Sequence, residues 1–165
     1  MSTNPASKQR GNEIGVTGRE VARNVKRVRL AAGLTQQEVS QYLAELGRPI
    51  PVASIGKIES ADRRVEVDDL MSLAIALGVT PITLLLPHAK SANEAIKVTG
   101  YPGRAREIWE WASGAAPLDL ESDVETPDER FGSFIAASIP WWFTPARGPL
   151  AQTEVEIDGE HPEEA

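Results

Sequence analysis

Arg27-Val-Arg-Leu-Ala-Ala-Gly-Leu-Thr-Gln-Gln-Glu-Val-Ser40 carries the end of one helix, a tight turn and the start of a second helix. Upstream of it, Val21, Val25, Val28 and Ala32 fall at i, i+4, i+7 and i+11, which predicts an amphipathic helix over 19–32. Arg19, Arg23, Lys26 and Arg27 occupy its other face, and Gly33 suits the stop. Thr35-Gln-Gln-Glu38 is a capping box: the Thr35 hydroxyl holds an amide of the first turn while the Glu38 carboxylate reaches back. Val39, Leu43 and Leu46 then supply a buried stripe, and Gly47 ends the second helix.

Downstream, Gly47-Arg-Pro-Ile-Pro51 reads as a connector, because each proline disfavours helix in the residue before it. Pro51 is itself suited to a first helical position, so a short third helix is expected from Pro51 to Ser60. It would bury Ile55 and Ile58 and expose Ser54, Gly56 and Lys57. After the polar turn Ala61–Arg64, a fourth helix over Val67–Leu77 starts with Asp68 and Asp69 near its positive end. Its inner stripe is Leu70, Leu73, Ala74 and Leu77. Thr80-Pro81 opens a fifth, ending at Pro87. Five short helices without a repeat make a compact all-α unit over residues 18–88, behind a flexible tail at 1–17.

Beyond it the pattern is looser. His88–Asn93 reads as a linker, and Ile96–Thr99 as a short strand before a Gly100-Tyr-Pro-Gly103 turn. Arg104–Ser113 reads as a helix displaying Ile108, Trp109 and Ala112, and the acid-rich Asp119–Glu129 as a solvated loop. Thr126-Pro-Asp-Glu129 repeats the cap, first-turn proline and capping-box grammar, implying a helix to Ile139. The second half is thus expected as a mainly helical accessory region, 94–143, followed by an acidic disordered tail, 144–165.

The 165 residues contain 41% apolar and 25% charged side chains, ordinary globular usage. Cysteine is absent and there are two histidines, so disulfides, thiolate chemistry and a His-based metal or catalytic site have little to be built from. No Gly-rich phosphate loop, His-Glu-x-x-His or Gly-x-Ser-x-Gly is present, and no enzymatic activity, cofactor or metal is expected. The apolar runs are too short for a membrane helix and the start is polar, which points to a cytoplasmic protein. The net charge is −7, but it is unevenly placed. Residues 1–88 hold 11 Lys+Arg against 9 Asp+Glu, and residues 89–165 hold 6 against 15. A weakly basic unit joined to a strongly acidic one leaves a nucleic-acid partner open to the first.

Arg27–Ser40, Ile55-Gly-Lys-Ile-Glu-Ser60 and Asp69-Leu-Met-Ser-Leu-Ala-Ile-Ala-Leu-Gly-Val79 together resemble the Cro/repressor-type (XRE) helix-turn-helix family, over residues 19–87. The resemblance implies a five-helix, lambda-repressor-like domain on double-stranded DNA, its third helix in the major groove and its second across the backbone. It carries over a phosphate contact at Gln36 and base-reading positions at Val52, Ala53, Gly56 and Lys57. Ser60, Arg63 and Arg64 match a loop that grips phosphate, and Arg29 with Glu59 a structural ion pair. Two features depart from the family: the connector Ala44–Pro51 is longer than the usual turn, and Val52 and Ala53 replace polar residues. These two suit thymine methyl groups, which leaves Ser54 and Lys57 for polar readout, or else they are core residues facing the second helix.

The function expected on these grounds is sequence-specific DNA binding that regulates transcription, most often by repression, in a phage immunity or chromosomal setting. An antitoxin-like autoregulator and an interaction module that has lost DNA binding are the rivals. Lys8 and Arg10 are either minor-groove contacts or part of a disordered tail. The four tryptophans, Trp109, Trp111, Trp141 and Trp142, lie in the second half. They serve as an accessory core, as a homodimer or protein-partner surface, or as a ligand pocket.

Overall fold

The computed structural model describes residues 13–118 and 126–143. Five helices come first: α1 (Val16–Ala31), α2 (Gln36–Glu45), α3 (Val52–Glu59), α4 (Val67–Ala76) and α5 (Pro81–Leu85). An antiparallel hairpin follows, β1 (Ala95–Val98) with β2 (Tyr101–Arg104), then α6 (Ala105–Ala112) and α7 (Pro127–Ser138). Of the tail expected at 1–17, residues 1–12, with Lys8 and Arg10, lie outside the described residues, as do 144–165 and most of the acidic loop, 119–125, while Val16 and Thr17 belong to α1 rather than to a tail. No helix among the described residues is long and apolar enough to cross a membrane.

The helix boundaries follow local chemistry. Thr35 caps α2 by accepting from the Glu38 amide, and Glu38 accepts from the Thr35 amide in return. Thr80 caps α5 and Thr126 caps α7, each with proline in the first turn. Gly33, Gly47 and Gly78 take positive φ just past α1, α2 and α4, a conformation glycine adopts without strain.

The core of the five-helix unit is aliphatic: Val21, Val25 and Val28 of α1 meet Val39, Leu43, Ile55, Ile58, Leu73, Leu77 and Leu84. A second, smaller core joins Leu86, Ile96, Val98, Ala105 and Ile108, so Leu86 hands the chain from one core to the next.

Four local expectations are corrected. Leu46 is not in the α2 stripe but 46% exposed, because α2 ends at Glu45 and Leu46 belongs to the C-cap turn. Ala32 likewise is an exposed C-cap rather than part of the α1 stripe. α1 starts at Val16 rather than Arg19, although Val, Thr and Gly are poor helix formers. Thr17 and Thr99 exchange amide-to-hydroxyl hydrogen bonds across 82 residues (3.3 and 2.9 Å), and that tertiary tie outweighs propensity. Finally, Gly100–Gly103 is not one turn. Thr99-Gly100 alone turns the chain, with Gly100 at φ 90°, and Tyr101–Arg104 pairs back as β2. Gly103 serves close approach instead, since a Cβ there would lie 2.8 Å from the Tyr101 ring.

Candidate nucleic-acid interface

Helix α3 has eight residues, about 12 Å of axis, short enough to lie within a major groove. Its amphipathic sequence buries Ile55 and Ile58 and turns Ala53 and Lys57, four residues apart, to solvent. Val52, Ser54 and Gly56 are half-buried at the edges of that face. Lys57 takes part in none of the ion pairs among the described residues.

The C-terminal end of α3 is held at Glu59. Arg29 of α1 grips its carboxylate with both arms of the guanidinium, Nε to Oε1 at 2.5 Å and Nη2 to Oε2 at 3.0 Å. The third arm, Nη1, donates to the Leu34 carbonyl at 2.8 Å, inside the turn between α1 and α2. Gln36 Nε2 donates to Glu59 Oε2 at 2.8 Å. One carboxylate therefore ties α1, α2 and α3 together, with its side chain 4% exposed. Burial pushes the Glu59 pKa up, but hydrogen bonds from Arg29 and Gln36, with the charges of Arg29 and Lys26, outweigh it. The net position is below the usual carboxylate value. Arg29 is moved up, chiefly by its hydrogen bond to Glu59.

The approaches to α3 are held by Asp69, a carboxylate 2% exposed in the first turn of α4. Arg48, in the connector before α3, donates Nε to Asp69 Oδ1 at 2.8 Å. Arg63, in the loop after α3, donates Nη2 to Oδ2 at 3.2 Å. Ser40 of α2 fixes the same connector by donating its hydroxyl to the Ile50 carbonyl at 2.7 Å. The long connector is thus pinned at Arg48 by Asp69 and at Ile50 by Ser40.

The residues singled out from sequence divide accordingly. Arg29, Glu59 and Gln36 meet in one cluster, with Gly56 facing the Gln36 amide. Ala53 and Lys57 point outward. Ser60 donates to Asp62 Oδ2 at 2.6 Å, and Arg64 donates Nη2 to the Glu13 carbonyl at 2.6 Å. Sequence reasoning missed Arg48 and treated Asp69 as a helix-dipole residue. The signal was present: Asp69 lies at i−4 and i−8 from Leu73 and Leu77, on the buried stripe, where a carboxylate requires a cation. Asn24 was missed in the same way. It lies on the inner face of α1 and donates Nδ2 to the Leu84 and Leu86 carbonyls at 3.1 and 2.7 Å, holding the end of α5.

Helix α3 is thus held at its C-terminal end and through the segments on either side, and its outward face carries Lys57, which joins none of the ion pairs among the described residues. The family model for the helix-turn-helix matches residues 25–84, a span that contains both clamps and the outward face of α3. No curated protein and no solved structure matches the chain. Residues 25–84 belong to the helix-turn-helix family of the Cro/repressor (XRE) type, the domain of DNA-binding regulators.

Proposed function

We propose that this chain is a sequence-specific transcriptional repressor that occludes an operator by inserting α3 into the major groove. The observation that carries the proposal is the double restraint on α3, with Arg29–Glu59 at its C-terminal end and Asp69 holding Arg48 before it and Arg63 after it, while Lys57 faces outward and joins none of the ion pairs among the described residues. Groove reading needs a helix that does not rock, because a bidentate or methyl contact discriminates only at fixed geometry. Lys57 is the base reader, with Ala53 and Val52 against thymine methyls and Ser54 and Gly56 lining the approach. Gln36, Ser60, Arg63 and Arg64 serve phosphate from the flanks, Gln36 through the amide hydrogen not given to Glu59.

Residues 18–88 act as the reading unit and 94–143 as an accessory unit. The aromatic end of the latter supports self-association: Trp141 is 95% exposed, with Trp142 and Phe143 also exposed. A second copy bound there would link two half-sites. The interaction-module reading draws support from the Asp62 carboxylate on Ser60 and from the acidic total charge. A salt titration on random duplex separates the two. A DNA binder shows log affinity falling linearly with log salt, and a module without DNA binding shows no affinity to titrate. Selection of bound sites from random duplex then gives the operator, and its symmetry gives the stoichiometry.

A further inference from the structure

Between the reading unit and the accessory unit lies a cavity of about 530 Å³, within the range of roughly 300–1,000 Å³ that small-molecule sites occupy. Its floor is Ile82, Leu85 and Leu86 at the end of the five-helix unit, and its walls are Thr17 of α1, the Val98–Thr99 end of the hairpin and the Trp111–Gly114 end of α6. Helix α7 is its roof. None of the α7 residues is buried, and Phe134 of α7 and Ile139, its C-cap, face this space. The C-terminal end of α7 is seated on α6, for Ile139 packs so close to Gly114 that a Cβ there would lie 2.3 Å from its Cδ1. The cavity is half-open, a cleft beneath an exposed helix rather than an enclosed void.

The lining chemistry selects an occupant. Among the described residues no ionisable side chain lines the cavity, so a charged molecule would lose part of its hydration without a counter-charge. The polar lining groups are the hydroxyls of Thr17, Thr99, Ser113 and Ser138, the Trp111 indole and backbone. Thr17 and Thr99 each already accept an amide hydrogen from the other, so each hydroxyl keeps its own proton to donate. Two hydroxyl donors at the edge of an apolar space favour a ligand with an acceptor oxygen. Water alone would find too few partners against the aliphatic floor.

We propose that this cavity is a binding site for a small, neutral, largely apolar molecule carrying a carbonyl or comparable hydrogen-bond acceptor, held by the Thr17 and Thr99 hydroxyls. The proposal does not depend on the DNA reading. The test titrates the full chain with prodan, a neutral naphthalene ketone whose emission shifts to the blue in apolar surroundings. The expected result is a saturable blue shift at one probe per chain. Ala112→Phe, filling the cavity from α6, and Ser138→Phe, filling it from the exposed α7, each weaken binding by about tenfold or more while melting like the parent. A Trp141→Ala/Trp142→Ala variant keeps the shift. The absence of a saturable shift, equal binding by the folded Ser138→Phe variant, or loss of the shift on removing the exposed tryptophans would overturn the proposal.

Discussion

The two halves of the described chain solve packing differently. The five-helix unit places polar side chains inside its aliphatic core, Asn24, Arg29 and Asp69, and each is fully engaged. Among the described residues no buried side-chain nitrogen or oxygen lacks a partner. The accessory unit has a small apolar core, a cavity and exposed aromatics. Hydrophobic burial is non-directional, whereas a bidentate guanidinium–carboxylate pair is satisfied in one geometry. The first half is therefore fixed in orientation and the second is left with room to accommodate something. On the proposed function, that contrast is a division between a helix that must be aimed and a surface that must adapt.

Breaking the aim gives the largest expected effect. Arg29→Ala leaves the buried Glu59 carboxylate without its cation, a loss of about 3–5 kcal/mol for a pair of this kind. Thermal unfolding should show a large fall in Tm, with affinity for operator DNA reduced in parallel. A variant that melts and binds like the parent would remove Glu59 from its place as the node of the domain. Asp69→Ala should cost less, because Arg48 and Arg63 are partly exposed and regain water when released.

The reading face comes next. Lys57→Ala should relax preference at one or two base pairs by about 1–3 kcal/mol, measured on operator variants. Arg64→Ala should instead weaken all sequences alike and lower the salt slope by about one unit. Arg63→Ala carries a second signature: its guanidinium also holds Asp69, so its loss should lower Tm as well as the salt slope. Equal loss on operator and random DNA for Lys57→Ala would make it a phosphate contact.

Acid sharpens the same comparison more gently. The Glu59 pKa is depressed on folding, so its charge contributes stability that is complete above the unfolded value of about 4.3 and is lost as pH falls through the lower folded value. The parent should lose stability in that acid window, and Glu59→Gln should lose less there while starting from a lower plateau near neutrality. Parallel stability curves for the two proteins would show that Glu59 does not carry the linkage. Glu38 and Glu129, also depressed by their capping partners, are retained in both proteins and cancel.

How far the sequence reveals this molecule follows the same divide. Each helix of the first unit announces itself through a 3.6-residue stripe and a local stop or cap, and both signals are short-range. Thr126 and Pro127 mark the start of α7 for the same reason. The hairpin is legible only in β1, where buried Ile96 and Val98 alternate with exposed Ala95 and Lys97. β2, with Pro102 and Gly103, has the composition of a turn and is a strand only because β1 is beside it. The early start of α1 depends on Thr99, far away in sequence. At the candidate site, Arg29 and Glu59 are joined by two hydrogen bonds, while the Asp69 clamp needed a question that periodicity alone poses: why a carboxylate stands on a buried stripe. The cavity has no local signature at all, since it is defined by where α1, α5, the hairpin, α6 and α7 stop short of one another.

The smallest expected effect on random-duplex affinity concerns what the accessory unit does to the reading unit. A fragment of residues 1–88 keeps every member of the larger core and both clamps. It loses the Thr17–Thr99 exchange and the cover over Leu86, 4% exposed in the full chain, which by burial alone is worth about 1.5–3 kcal/mol. The fragment should fold and melt lower. It also sheds 15 acids against 6 bases, so its affinity for random duplex should equal the full chain's or exceed it by a factor of a few at moderate salt, where screening over about 8 Å mutes distant charge. On a symmetric operator the sign should reverse if the accessory unit joins two copies, because the half-sites are no longer linked. Binding to both duplexes at fixed salt, with sedimentation for mass, reads all three quantities. A fragment that folds yet binds no DNA while the full chain does would place part of the reading surface beyond His88, and the comparison between the halves would have to be redrawn.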